Sequence, residues 1–299
     1  MLIGFGRRLL GALGIATVTG AALAPQAAEA RNAPALWSVS DADTTVYLFG
    51  TIHLLPPDYH WQTAAFERAK AKSQTLVIET IIDPAHPQTY LNAIHQLGFG
   101  VGLPPITERV PAAKRPALLA AIAKTGIAQP QFDQMKTWYA GVLLLQSQLR
   151  EIGLDATEGP ETVLREQFAA AGKPVNQLET NYEQFSFFNG LPEAAQRQIL
   201  EGSIETPDMV RKEFNPMLSA WSIGDVKGIG VSFNRDFSGS PELRKVLLKQ
   251  RNANWARWIE QRMQKPGALM IAVGAGHLAG EDSVINLLKH DGLHVHRIQ

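Results

Sequence analysis

Short apolar runs and amphipathic stretches alternate at both ends of the chain, whereas helical periodicity dominates the middle. Apolar runs of strand length are bounded by Gly, Asp or Pro, which is typical of buried strands. Longer stretches place apolar residues three and four positions apart, which predicts amphipathic helices. The predicted strands are 36–39, 45–49, 76–78, 175–178, 268–273 and 294–298, and the predicted helices are 61–72, 111–124, 136–152, 161–171, 193–201, 207–224 and 241–263. This pattern indicates an α/β fold with a largely helical insertion at about 82–241.

The first thirty residues have the pattern of an export signal. Arg7 and Arg8 precede an apolar run over 9–24, and Ala28-Glu29-Ala30 has the small residues of a cleavage site. The apolar run, of about sixteen residues, is short for a membrane span. We therefore expect a cleaved signal peptide over 1–30 and a folded domain over 31–299, with an uncleaved anchor as the alternative. The expected location is periplasmic or secreted, without a stable membrane span after cleavage.

Charge and cysteine content narrow the classes of function. The chain has 28 basic and 28 acidic residues, so it lacks the basic excess expected of a protein that binds nucleic acid. It has no cysteine, which excludes disulfides, thiolate metal sites and a cysteine nucleophile. Any metal site would therefore use histidine and carboxylate ligands, which suit zinc, manganese or cobalt ions.

One motif occurs twice, each time where an apolar strand runs into Gly-x-x-His-Leu. His53 lies in Gly50-Thr-Ile-His53, and His277 lies in Gly274-Ala-Gly-His277. Glycine permits a tight turn at the end of a strand, and the carboxyl ends of strands are where open α/β proteins bind ligands. Two such turns side by side would direct both imidazoles at one point. We interpret the pair as one bipartite centre; the alternative is that each imidazole only hydrogen-bonds nearby backbone.

Two carboxylates occupy matching places in the pattern. Glu79 and Glu179 each end a predicted buried strand and are each followed by Thr. Such a carboxylate either caps a helix or acts as a ligand or general base, and we favour the second interpretation for both. We expect the strand of Glu79 to lie directly beside the strand that carries His53. Because an unpaired buried carboxylate is costly, a metal or an arginine should lie nearby.

Three further residues are candidates for contact with substrate or transition state. Arg251 shares a helix face with Trp255, so its guanidinium could reach the strand ends and bind an anionic group or an oxyanion. Asn252 follows it, and Asp155 follows the end of the long predicted helix 136–152. We expect both of these to contact substrate.

Together these landmarks resemble the TraB/PrgY/GumN family, which includes the Tiki metalloproteases. In chain order they are Leu36-Trp37, Phe49-Gly-Thr-Ile-His-Leu-Leu-Pro-Pro57, Leu76-Val-Ile-Glu79, Gly153-Leu-Asp155, Gly172-Lys-Pro-Val-Asn-Gln-Leu-Glu-Thr180, Arg251-Asn252 and Val273-Gly-Ala-Gly-His-Leu-Ala-Gly280. The resemblance implies an α/β fold like that of erythromycin-esterase-like and ChaN-like proteins, with a central mixed sheet flanked by helices. One departure is Gln250, where family members often have Glu before the Arg-Asn pair.

The resemblance also implies a function, that of a metal-dependent hydrolase of the peptidase type. His53, His277 and Glu79 would hold a divalent ion (manganese, cobalt or zinc), with Glu79 as ligand or general base. From the residues themselves, Arg251 would face the oxyanion, and Glu179 is a further catalytic candidate. The substrate would be a peptide or protein. Two alternatives stay open: a periplasmic protein that binds metal, peptide or haem without turnover, and an accessory factor in polysaccharide export.

Overall fold

A computed structural model describes residues 32–83, 85–154, 156–237 and 240–299, without the side chains of 233–237. The predicted signal peptide over 1–30 and the candidate Asp155 lie outside the described residues.

A six-stranded mixed sheet forms the centre of the fold. Its strands are β1 (Leu36–Ser40), β2 (Thr44–Thr51), β3 (Thr75–Ile78), β4 (Val175–Gln177), β5 (Gly267–Gly274) and β6 (Val295–Arg297), in the order β4-β3-β5-β2-β1-β6. The four strands β4, β3, β5 and β2 are parallel, whereas β1 runs antiparallel to both of its neighbours. The predicted α/β class, with a mixed central sheet, is confirmed.

The order of the strands corrects one expectation. Strand β5 lies between β2 and β3, so the strand of Glu79 is not beside the strand of His53. The connection from β2 through α1 to β3 skips one position in the sheet, and β5 fills that position near the end of the chain. Sequence order gives only a partial guide to neighbours in a sheet. As a result, the turn that carries His277 lies between the other two strand ends.

Helices occupy each of the predicted helical stretches, and further helices at 88–98, 129–134, 181–189, 226–237 and 284–290 lie outside the predicted stretches. They are α1 (Ala64–Lys72), α2 (Gln88–Gly98), α3 (Arg115–Thr125), α4 (Gln129–Gln134), α5 (Thr137–Glu151), α6 (Pro160–Ala170), α7 (Asn181–Asn189), α8 (Glu193–Gly202), α9 (Pro207–Ser222), α10 (Val226–Phe237), α11 (Pro241–Arg244), α12 (Arg251–Met263) and α13 (Val284–His290). A π-helical segment, Lys245–Gln250, joins α11 to α12. None of the helices in the described ranges is long and apolar enough to cross a membrane.

Both faces of the sheet are covered. Helices α1, α5, α6 and α9 pack on one face, around buried residues such as Phe49, Phe168 and Trp221. Helices α12 and α13 cover the other face, around Trp255 and Ile271. Further apolar clusters lie within the helical region of 88–204. The ends of β2, β3 and β5 are thereby held in a rigid frame of apolar contacts.

The indole of Trp221 fixes the first Gly-x-x-His turn. Its Nε1–H donates to the carbonyl oxygen of Gly50 at 2.7 Å, and both groups are buried. A buried carbonyl that loses its donor retains the cost of desolvation. The first turn is therefore held from the side of α9.

We predict that Trp221→Phe lowers the free energy of unfolding by about 1–3 kcal/mol, because the ring is largely retained while the Gly50 carbonyl loses its donor. Denaturant-induced unfolding measures this difference. Trp258→Phe is the control, since Trp258 is only partly buried and lies on the other face of the sheet. Equal stability of the Trp221→Phe variant and the parent would contradict the prediction.

Candidate active centre at the carboxyl edge of the sheet

The two Gly-x-x-His turns lie side by side. Thr51 of β2 pairs with Gly274 of β5, so both histidines follow the same edge of the sheet. A Cβ atom built on Gly274 would lie 3.2 Å from Glu79 Oε1, 3.5 Å from His53 Nε2 and 3.6 Å from His277 Cδ2. The structure thus brings the three predicted residues around one point, and the missing side chain of Gly274 leaves that point open.

His277 is buried and held in one tautomer. Its Nδ1 lies 2.5 Å from Asn252 Oδ1, while the Nδ2 amide of Asn252 donates to the Asp282 carbonyl at 2.7 Å. The Nδ1 of His277 is therefore the donor, and its Nε2 carries the lone pair, 3.9 Å from Glu79 Oε1. Burial and the nearby Arg251 lower the pKa of His277 to about 3, so the ring is neutral at neutral pH.

His53 is the open half of the centre, with 59% of its side chain exposed. Its Nδ1 lies 2.6 Å from Glu161 Oε1, and the hydroxyl of Thr51 donates to the same oxygen. The negative charge of Glu161 raises the pKa of His53 to about 9, although solvent screens part of this attraction. Without a bound ion, this imidazole is mostly protonated at neutral pH.

Arg251 links the buried groups of the centre. Its Nε donates to both oxygens of Glu179 at 2.9 and 3.0 Å, and its Nη2 donates to Glu179 at 2.8 Å and to Glu79 at 2.6 Å. Its Nη1 faces His277 Nε2 at 3.2 Å and the Leu247 carbonyl at 3.5 Å. All five N–H groups thus have acceptors within the protein. The expected cation beside the carboxylates is this guanidinium, and all of its donors are directed at acceptors of the protein.

The two strand-end carboxylates differ in their environments. Burial alone would raise the pKa of Glu79, but Arg251 and the two imidazoles lower it overall, and the Gly274 N–H donates to it at 2.7 Å. Burial raises the pKa of Glu179, against the hydrogen bonds from Arg251 and from the Trp255 indole. Glu79 faces the open point beside Gly274, whereas Glu179 serves to hold Arg251.

Asn252 has a different role from the one expected. It is 1% exposed, and both ends of its amide are bound within the protein, to His277 and to the backbone of Asp282. It therefore orients His277 and is not placed to contact substrate. The other substrate-binding candidate, Asp155, lies outside the described residues, so the structure does not place it.

Glu161 is the site residue that sequence reasoning missed. It lies in the first turn of α6, where an acidic residue is common because it complements the helix dipole. Gly159, just before α6, lies so close to the His53 carbonyl that a built Cβ would be 2.0 Å from that oxygen. The Gly-Pro-Glu start of this helix was the available signal, but only the tertiary contact distinguishes a site carboxylate from an ordinary helix start.

The π-helical segment before Arg251 was also not predicted. It ends where α12 begins, and its Leu247 carbonyl accepts from Arg251. Single π-helical turns often occur at functional sites, where they shift the face on which the next side chain lies.

The donors suit a divalent ion in kind and in direction. Each imidazole has its Nδ1 bound to an acceptor, Glu161 or Asn252, which is the usual outer-shell arrangement of metal-bound histidine. Glu79 would add a carboxylate oxygen. Within the described ranges, no three His, Asp or Glu side chains form a preassembled ligand group, and Arg251 donates to the lone pair of His277. An ion would therefore have to replace that hydrogen bond.

The pairing of Glu79 with Arg251 predicts an acid dependence of stability. The pKa of Glu79 is lowered from an ordinary 4.5, so the stabilisation that it provides is complete above about pH 4.5 and is lost as the pH falls below that value. Glu79→Gln should lower the free energy of unfolding by roughly 1–3 kcal/mol at neutral pH. The difference from the parent should shrink in acid, as measured by denaturant unfolding across pH.

Glu67→Gln is the matched control, because Glu67 forms an exposed ion pair with Lys70 and exposed pairs contribute little. A stability difference between Glu79→Gln and the parent that stays constant from neutral to acid pH would refute the prediction.

Comparison with known proteins places this arrangement in a family. A model of the TraB/PrgY/gumN family matches residues 35–297, which include every strand of the sheet and all the site residues. The chain is 24% identical over 244 residues to the uncharacterized protein YbaP of Escherichia coli, covering 81% of this chain and 87% of that protein, and equally similar to YbaP of Shigella flexneri. No solved structure matched. The family match spans most of the chain, and the chain therefore belongs to the TraB/PrgY/gumN family.

Proposed function

We propose that this chain is an exported, metal-dependent hydrolase of the peptidase type. One observation carries the proposal: two imidazoles, each oriented through its Nδ1, flank the Glu79 carboxylate at the open point beside Gly274. Such a combination of ligands is typical of hydrolytic metal centres. The family to which the chain belongs includes the Tiki metalloproteases, which supports the same activity, and the signal-like segment over 1–30 supports export.

The ion would be held by His53, His277 and Glu79, and it would supply an activated water and polarise the carbonyl of the scissile bond. Glu161 and Asn252 hold the two rings in place. The half of the centre around His277 is buried, since this side chain is only 9% exposed. Substrate would approach from the side of His53, which is the exposed half.

The environment of Glu79 favours one of its two possible roles, ligand or general base. A general base works best when its pKa lies near the operating pH, whereas the pKa of Glu79 is lowered well below that of an ordinary Glu. Arg251 and the Gly274 N–H both favour its charged form. Glu79 is therefore better suited to hold a cation than to accept a proton.

Arg251 acts through the carboxylates that it binds. Its bonds to Glu179 and Glu79 keep Glu79 ionised and fix the oxygen that faces the open point. Glu179, with three contacts to Arg251, is a positioning residue in this proposal. Neither residue needs to touch the substrate.

The proposal predicts metal-dependent cleavage of peptides. The chain without residues 1–30, stripped of metal, is incubated with a peptide library and with zinc, manganese or cobalt ions, and products are identified by mass spectrometry. We expect cleavage with at least one of these ions and its loss with a chelator. His53→Ala and His277→Ala should each lower the rate by more than about 100-fold, above the range of outer-shell changes.

His294→Ala is the matched control, because His294 is an exposed histidine at the distant edge strand. Cleavage that persists with chelator would contradict the metal requirement. Stoichiometric metal binding that depends on His53, without cleavage of any peptide, would instead favour the alternative of a binding protein without turnover.

A further inference from the structure

We infer that Glu161 is a positioning residue of the centre, which fixes the ring of His53 and the direction of its Nε2 lone pair. The inference rests on the proposed function, because it concerns the imidazole that faces the substrate. It also assigns a task to α6, a helix that carries none of the residues singled out from the sequence.

The two imidazoles are held in different ways. His277 is buried, its ring centroid lies 4.4 Å from that of Trp255, and Asn252 binds its Nδ1. Packing and hydrogen bonding thus both restrain its ring. His53 is 59% exposed, so packing restrains its ring much less, and its Nδ1 contact with Glu161 at 2.6 Å becomes the main restraint.

Glu161 is itself fixed on both sides. The Thr51 hydroxyl donates to the same Glu161 oxygen that faces His53, which ties the carboxylate to the end of β2. Pro160 begins α6, and Leu164 and Phe168 of this helix are buried in the core below the sheet. The side chain of Glu161 is only 16% exposed. A carboxylate held in this way can define the orientation of a neighbouring ring.

The tight contact between Gly159 and the His53 backbone supports the same assignment. A Cβ on Gly159 would lie 2.0 Å from the His53 carbonyl oxygen, so only glycine allows α6 to begin this close to the turn. The close approach places the first turn of α6 within reach of the imidazole. The close approach of Gly159 to the His53 backbone and the hydrogen bond from His53 to Glu161 therefore both fix the position of His53.

The first experiment reads the ring directly, without metal or substrate. Nitrogen-15 NMR of the histidine side chains, at a pH where the His53 ring is neutral, reports which ring nitrogen carries the proton. The signal of His53 is identified by its loss in His53→Ala. We expect the proton on Nδ1 in the parent, because Glu161 accepts from that nitrogen.

Glu161→Ala and Glu161→Asp should both shift the proton toward Nε2. The Asp variant keeps an acidic residue that complements the dipole of α6, but its carboxylate is one methylene further from His53. It therefore tests the contact with His53 separately from the stability of the helix. Glu161→Gln keeps an acceptor oxygen in place and should retain the Nδ1 proton. Glu166→Gln, an exposed change on the same helix, should change nothing.

The second experiment measures the affinities for Co²⁺, Mn²⁺ and Zn²⁺ by titration of the metal-free protein. Loss of an outer-shell partner typically costs 10–100-fold in metal affinity. We expect a loss of this size in Glu161→Ala and Glu161→Asp, and parent affinity in Glu166→Gln. Thermal unfolding establishes that each variant is folded before it is compared.

The two experiments separate the inference from the proposed function. Folded Ala and Asp variants that keep the Nδ1 proton would overturn the role of Glu161, as would parent metal affinity in both variants. Failure of the parent itself to bind any of the three ions would overturn the metal-dependent function. The tautomer measurement would still decide whether Glu161 positions His53.

Discussion

The burial of two carboxylates against one guanidinium is the constraint on which the rest of this structure depends. Arg251 binds Glu79 and Glu179, which end the neighbouring strands β3 and β4. Removal of Arg251 would leave both carboxylates buried without compensation, and such a loss typically costs about 3–5 kcal/mol. The same contacts bring α12 to the sheet edge, and α12 also supplies Asn252 to the ring of His277. The requirement for charge compensation therefore positions both α12 and the part of the site around His277.

As a result, the surroundings of the two histidines in the centre differ. The half around His277 is buried, and its hydrogen bonds hold the ring in place while burial and Arg251 keep it neutral. The half around His53 faces solvent and depends on Glu161. Two motifs of similar sequence thus acquire different properties, because burial and Arg251 keep His277 neutral whereas the carboxylate of Glu161 favours the charged form of His53. The chemistry of each imidazole is set by residues far from it in the chain.

Local pattern determined the strands and the two turns, because a buried strand and a Gly-x-x-His turn are properties of a few consecutive residues. It also led to the expectation of a cation beside the buried carboxylates, which follows from electrostatics alone. The position of β5 between β2 and β3 did not follow from the local pattern, because it depends on how segments distant in the chain pair in one sheet. Glu161 was missed for the same reason: an acidic residue at a helix start has a sufficient local explanation. That acceptors of the protein occupy all the N–H groups of Arg251 likewise could not be predicted, because it depends on how four separate segments come together.

The saturation of Arg251 also bears on how the centre would take up an ion. Three carboxylates, those of Glu79, Glu161 and Glu179, surround the site, and a single guanidinium opposes them there. Even with His53 protonated, the three carboxylates outnumber the two cationic groups, and this excess of negative charge attracts a divalent cation. Among the described residues, the hydrogen bond that the ion would have to displace at His277 is the one from Nη1 of Arg251, at 3.2 Å. Arg251 would keep its Nε and Nη2 bonds to Glu179, so the buried ion pair could remain intact while the lone pair of His277 passes from an N–H donor to a metal. The frame that stabilises the fold is therefore compatible with the proposed chemistry.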